Sequence, residues 1–198
     1  MNILRHSVTV LLLVAVAAAL NGCMLTEPFR SVQYYDLQTP APTIPDDCLV
    51  KVSSFKSTET SKQKMVYTED DCRIIIDDYN KWMQSPNIAV SKYLQTAFSN
   101  NSANSKLYEF NVSGNVFLFK IDLKNKLASL GVLYKIAKVK AGTETELINH
   151  SCILTSTFQD DDDPADFAKA MSECAKRLAD RIQADINYMK QRDNGSSN

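Results

Sequence analysis

The chain has 198 residues, a formal net charge of −1 and 44% hydrophobic residues. That length and composition suit one domain of ordinary size with a real apolar core. The near-zero charge argues against nucleic-acid binding and against broad attraction to anionic lipid.

The first segment reads as an export signal. Met1 to Ser7 carries one firm positive charge, Arg5, with His6 beside it. Val8 to Leu20 is uncharged and almost wholly apolar, and small and polar residues follow before Cys23. A basic start, a short apolar core and a small-residue end mark a secretory signal, and the run is shorter than the ~20 apolar residues that a membrane span needs. Leu20-Asn21-Gly22-Cys23 resembles a bacterial lipobox, in which Cys23 is lipidated and the chain is cut before it. The expected organisation is a signal at 1–22, a lipidated tether at 23–32, one domain at 33–191 and a disordered tail at 192–198. The mature chain would then have 198 − 22 = 176 residues, and losing Arg5 would take its charge from −1 to −2. Acyl chains on Cys23 would be its membrane attachment, each buried methylene contributing ~0.8 kcal/mol. Met24, where Asp would favour inner-membrane retention, leans toward the outer membrane.

Beyond the tether, Gln33 to Leu37 is aromatic-rich and suits a first strand. Three prolines between Thr39 and Pro45 make an extended connector. Cys48 to Phe55 alternates, with Cys48, Val50 and Val52 on one side, and Lys56 to Lys64 reads as a polar loop. Met65-Val66-Tyr67 and Cys72 to Ile76 form a hairpin around Thr68-Glu69-Asp70-Asp71. Asp77 to Trp82 leads out of it. Ser85-Pro86 starts a helix with Val90, Tyr93, Leu94, Ala97 and Phe98 on its apolar face.

Leu107 to Leu123 is strand-like but changes phase, with Tyr108, Phe110 and Val112 on one parity and Phe117, Phe119, Ile121 and Leu123 on the other. A bulge at Gly114 explains the flip; a tight hairpin at Ser113-Gly114-Asn115 is the rival. Ala128 to Ile136 alternates cleanly, and Leu147 to Phe158 is a final strand. Asp163-Pro164 opens a long helix toward Lys190, with Phe167, Met171, Cys174, Leu178, Ile182, Ile186 and Met189 on one face. The fold class is therefore α+β, a mainly antiparallel sheet with two amphipathic helices packed on one face.

Export puts the other four of the five cysteines in an oxidising space. Cys48, Cys72, Cys152 and Cys174 could form two disulfides in any of three pairings, or could be buried thiols. Their spacing matches no zinc knuckle, so no metal is expected. His150 is the only histidine of the mature chain. It adjoins Ser151, but a nucleophile–base pair also needs a third orienting group, so His150 reads as a surface or sheet-edge residue. The chain has no phosphate-binding glycine loop. Asp160 to Asp163 lacks the spaced ligands of a calcium loop and reads as a solvated lead into the Asp163 cap. Tyr34 and Tyr35 are either a recognition patch or half-buried sheet residues. Trp82 is either a partner anchor or a packing residue.

Taken together, Cys23, Tyr34-Tyr35-Asp36-Leu37, Lys81-Trp82 before the first helix, Val112 to Val116 with Phe119 and Asp122, and Asp166 to Ser172 opening the last helix resemble the ABC-type transport auxiliary lipoproteins, the PqiC-like group. The resemblance spans nearly the whole mature chain and is carried by the order and spacing of the motifs. It implies a non-catalytic accessory lipoprotein without a cofactor other than the diacylglycerol and N-acyl lipid on Cys23. It further implies lipid anchoring at the periplasmic side of the outer membrane. The implied partners are an MCE-domain periplasmic protein and its membrane permease, together moving phospholipid between membranes, with a homo-oligomer suggested by the ring symmetry of MCE proteins. Two other readings remain: an accessory to outer-membrane assembly or to a secretion pore, and a tethered periplasmic hydrolase.

Overall fold

Residues 30–42, 48–58, 62–70, 73–99, 108–140, 142–160 and 162–195 are described by a computed structural model. The signal at 1–22, Cys23, Cys72 and the last three residues lie outside them. The described elements are β1 (Gln33–Tyr35), β2 (Cys48–Val52), β3 (Lys56–Ser57), β4 (Lys64–Asp70), β5 (Arg73–Trp82), α1 (Pro86–Ala97), β6 (Tyr108–Asp122), β7 (Leu127–Lys140), β8 (Thr143–Thr157) and α2 (Pro164–Gly195). They form one mixed, mostly antiparallel sheet and two helices, an α+β architecture.

β6 is the spine. Along one side it pairs antiparallel with β7, and β7 pairs antiparallel with β8. Along its other side lie three short parallel partners end to end: β2 against residues 108–112, β3 against 115–116 and β4 against 121–122. β4 continues antiparallel to β5, and β5 ends parallel to β1. The order is β1-β5-β4-β6-β7-β8, so β8 is an edge strand.

Alternation places the core. On β7, Ala128, Leu130, Val132, Tyr134 and Ile136 are buried, all on one face. α2 answers with the predicted stripe, since Phe167, Met171, Cys174, Leu178, Ile182, Ile186 and Met189 are all buried. α1 adds Val90, Tyr93, Leu94 and Ala97, with Phe98 after it. Both helices pack on this face.

The phase change of β6 is a bulge, but not at Gly114. The register slips between Val116 and Leu118, making Phe117 the extra residue. Strand pairing runs unbroken through Ser113, Gly114 and Asn115, which rules out a hairpin there. Gly114 instead makes room for a neighbour, since a Cβ there would stand 2.4 Å from the Phe55 ring and 2.6 Å from the Leu133 carbonyl oxygen. Phe55, 2% exposed, lies where a side chain would be.

β5 runs on through Asp77 to Trp82 instead of leading out of the sheet, because it has a detour. Lys64 faces Lys81 while Val66 faces Ile76, so Asp77 to Asn80 have no partner on β4, and Asp77 to Tyr79 loop out between the two paired stretches. The Asp77 carboxylate holds the loop. Its Oδ1 accepts from the Tyr79 and Asn80 amides at 2.8 and 2.9 Å, and its Oδ2 accepts from Asn80 Nδ2 at 2.8 Å and the Tyr67 hydroxyl at 3.0 Å. Beyond the loop the strand re-forms with Asn80, Lys81 and Trp82 against Gln33, Tyr34 and Tyr35.

The helix starts differ in detail. Asp163 caps α2 by accepting the Ala165 amide at 2.8 Å. Ser85 makes no side-chain cap to α1; its hydroxyl donates to Asn87 Oδ1 at 2.8 Å instead. β3 forms inside the stretch read as a polar loop, and α2 continues to Gly195 through residues read as the start of a tail.

Candidate partner-binding surface

The sheet face opposite the helices is the candidate site. Residues of β7 and β8 that alternate with the core positions point there: Leu133 is 53% exposed and Ile153 59%. On β5, Ile75 packs on the core, so its neighbours Ile74 and Ile76 turn outward, at 66% and 52% exposure. Between them lie half-buried Val66, the partner of Ile76, and Leu118, which faces Gly131 across the ladder. Phe117, released by the bulge, lies over Gly131, where a Cβ would meet its ring at 2.6 Å. Gly131 in turn pairs with Ile153. The result is a band of apolar side chains crossing the sheet from β5 to β8 with no described helix over it. Farther along the same face the band gives way to the ion pairs Lys51–Glu109 and Lys135–Glu144. An apolar centre with a charged border is the pattern of a protein-docking surface.

The residues singled out in the sequence fare unequally. Tyr34 is 53% exposed on β1. Tyr35 is half-buried against the core, its hydroxyl 3.4 Å from Asn80 Oδ1. Trp82 is not available to a partner: it is 3% exposed and meets Phe119 edge-on at 5.0 Å between ring centroids. It is a core residue because β5, after its detour, turns it under the helices.

Of the four cysteines considered for disulfides, Cys72 lies outside the described residues, and the other three do not pair with one another. Cys152 and Cys174 are buried thiols, and Cys48 is fully buried. Register keeps all three apart. Cys152 faces Val132, whereas Cys174 Sγ donates to the Ala128 carbonyl at 3.5 Å, four residues or ~13 Å along β7. Cys48 pairs with Tyr108, near the far end of β6. A disulfide needs Cα atoms within ~7 Å, so no two of these three can be bridged. Burial, the dominant cause, pushes the Cys174 thiol up to about 11 and raises that of Cys152.

His150 does find an orienting group, but the adjacent Ser151 is not on its side of the sheet. Its Nδ1 donates to Asp185 Oδ2 at 2.9 Å, and the Tyr134 hydroxyl donates to the same oxygen at 2.7 Å. Burial, then Asp185 itself, raise the Tyr134 phenol. Ser151 cannot join, because neighbouring strand residues face opposite sides. The cluster fastens α2 to β7 and β8.

On the helix side, Asp36 to Pro42 crosses α1 and α2, with the Gln38 amide donating to Ser172 Oγ at 2.9 Å. Beneath it is a crevice of about 200 Å³ lined by Pro40, Tyr93, Ala97, Glu173 and Lys176 among others. Pockets that enclose a drug-sized ligand hold ~300–1,000 Å³. Among the described residues no helix is long and apolar enough to cross a membrane, and no cluster of three or more side chains could hold a metal ion.

The open sheet face was not read from the sequence. The signals were there: Ile74-Ile75-Ile76 cannot all face one side of a strand, and Leu147 and Ile153 fall on the opposite parity from Cys152.

No family model matches this sequence, and no curated protein matches it. The fold is nevertheless similar to solved structures. Protein XCC0632 from Xanthomonas campestris, of the family model DUF330, aligns with a TM-score of 0.61 at 11% identity, over 83% of this chain and 99% of that one. A structure described as an uncharacterized protein aligns with a TM-score of 0.61 at 14% identity, over 79% of this chain and 99% of that one. At such identities the likeness shows the fold: this chain has the α+β architecture of those structures along nearly their whole length.

Proposed function

We propose that this chain is an outer-membrane-anchored periplasmic lipoprotein, serving as a non-catalytic accessory subunit of an MCE/ABC-type intermembrane phospholipid transport system. The observation that carries the reading is the one-sided sheet. Its helices close one face, while the other keeps an apolar band bordered by ion pairs, a surface built to dock protein. The lipobox-like segment ending at Cys23 supplies the tether. The fold likeness to the Xanthomonas DUF330 protein accords with the resemblance to the auxiliary lipoproteins. His150 is held by the Asp185 carboxylate, while its neighbour Ser151 faces the opposite side of the sheet.

The test is capture from detergent-solubilised envelopes, with the full-length lipoprotein as bait and mass spectrometry as readout. The expected result is recovery of an MCE-domain protein. If the unlipidated Cys23→Ser form captures it as well, the folded domain suffices and the lipid only positions it; if not, membrane placement is required. Recovery of a β-barrel or pore with either form, and of no MCE or permease subunit, overturns the transport reading.

A further inference from the structure

The strap from Asp36 to Pro42 roofs the crevice between α1 and α2, and its fasteners are few. Lys92 meets Asp36 at 3.4 Å, and the Gln38 amide donates to Ser172 Oγ at 2.9 Å. Pro40, Ala97 and Ala179 are small and apolar, so strap and helices leave about 200 Å³ between them unfilled. Tyr93 reaches from α1 into this space. It is 6% exposed, yet its hydroxyl makes no hydrogen bond to any described residue. A buried phenol ordinarily finds a partner, and phenylalanine would pack there without that need.

The charges beside the hydroxyl select its partner. Glu173 and Asp180 stand exposed on α2 at the rim of the crevice, with Lys176 between them. Among the described residues none of the three is in an ion pair. Burial raises the Tyr93 phenol, and the Glu173 and Asp180 carboxylates raise it further. The field at the hydroxyl is therefore set by the carboxylates and not by Lys176, whose long stem carries its ammonium toward water. Acceptors are in surplus at this end of the crevice, and a cation that donates hydrogen bonds is what they lack. We propose that the crevice binds a small organic ammonium ion. Its N–H groups bond to the Tyr93 hydroxyl and to the Glu173 and Asp180 carboxylates, and its aliphatic part lies against Pro40, Ala97 and Ala179.

Spacing and volume sharpen the class. Glu173 and Asp180 are 180 − 173 = 7 residues apart, which is about 10 Å along α2. One ammonium does not span that distance at hydrogen-bond length, whereas a linear diamine of a few methylenes reaches each carboxylate with one end. The small volume suits such a molecule and not a drug-sized one. Two carboxylates against one lysine disfavour an anion. The crevice lies on the helix side, opposite the apolar band, so an amine bound here and a protein docked there do not compete.

The test is isothermal titration of 1,4-diaminobutane into the full-length protein in non-ionic detergent, with butanedioate as an anion of the same length. Wild type is expected to bind the diamine and not the dianion. Glu173→Gln, Asp180→Asn and Tyr93→Phe should each weaken binding at least about tenfold, since each removes a charge or hydroxyl that an ammonium contacts. Lys176→Gln should tighten it. Tyr93→Phe should also melt no lower than wild type, because its hydroxyl has no protein partner to lose. The two carboxylates are exposed, so their amide variants keep the question decidable if Tyr93→Phe folds poorly. A wild type that binds no diamine overturns the inference. So does diamine binding that is indifferent to Glu173→Gln and Asp180→Asn combined, which would put the amine elsewhere. Butanedioate binding that is lost on Lys176→Gln would make the crevice an anion site and overturn it as well.

Discussion

Single side chains in this protein are decided by which way the backbone turns them. Cys152 and Cys174 look in the sequence like half-cystines of an exported protein, yet each faces the apolar layer between sheet and helix. Burial raises both thiols, Cys174 to about 11, so little thiolate forms at mildly alkaline pH. Differential alkylation followed by peptide mass spectrometry should therefore leave both unlabelled in the native protein and label both in denaturant. A Cys152–Cys174 disulfide peptide would contradict the register that separates them. Trp82 makes the same point, because an exposed tryptophan and a core tryptophan have the same letter.

At the scale of elements, β5 shows how one carboxylate shapes a strand. Burial alone would raise the Asp77 pKa, but hydrogen bonds from the Asn80 side chain and amide, the Tyr79 amide and the Tyr67 hydroxyl outweigh it and hold the pKa below the ordinary value. A carboxylate with a depressed native pKa contributes stability that is fully present above its unfolded pKa, about 3.9, and is lost as pH falls through the native value. Asp77→Asn should therefore destabilise the protein at neutral pH by of order 1 kcal/mol. The gap between variant and wild type should narrow in denaturant melts taken below about pH 4. A gap independent of pH would mean that shape and not charge holds the detour. The stake is β1, which pairs only with the part of β5 beyond that loop.

At the scale of the whole molecule, the question is what covers the open face. Ile74 and Ile76 are over half exposed, so Ile74→Asp with Ile76→Asp should change stability by no more than about 0.5 kcal/mol per site. The same variant should lose the captured MCE-domain protein. Unchanged thermal melting with lost capture would assign the band to docking. Unchanged capture would move the partner surface elsewhere, with exposed Tyr34 the next place to probe.

The sequence by itself determined the elements whose pattern is local. The Ala128 to Ile136 alternation, the heptad-like stripe of α2, the Asp163 cap and the α+β class were all legible, because burial on one face repeats every second residue in a strand and every third or fourth in a helix. Only the tertiary structure decided the rest. Where the phase change of β6 falls depends on its pairing with β7, not on its own composition. Whether β5 stops or detours depends in part on the hydrogen bond that Asp77 accepts from Tyr67 on the neighbouring strand. Which cysteines can meet depends on register across the sheet. The candidate site belongs to this second group: among the described residues a face is uncovered because both described helices lie on the other side, and no periodicity within one strand records where the helices went.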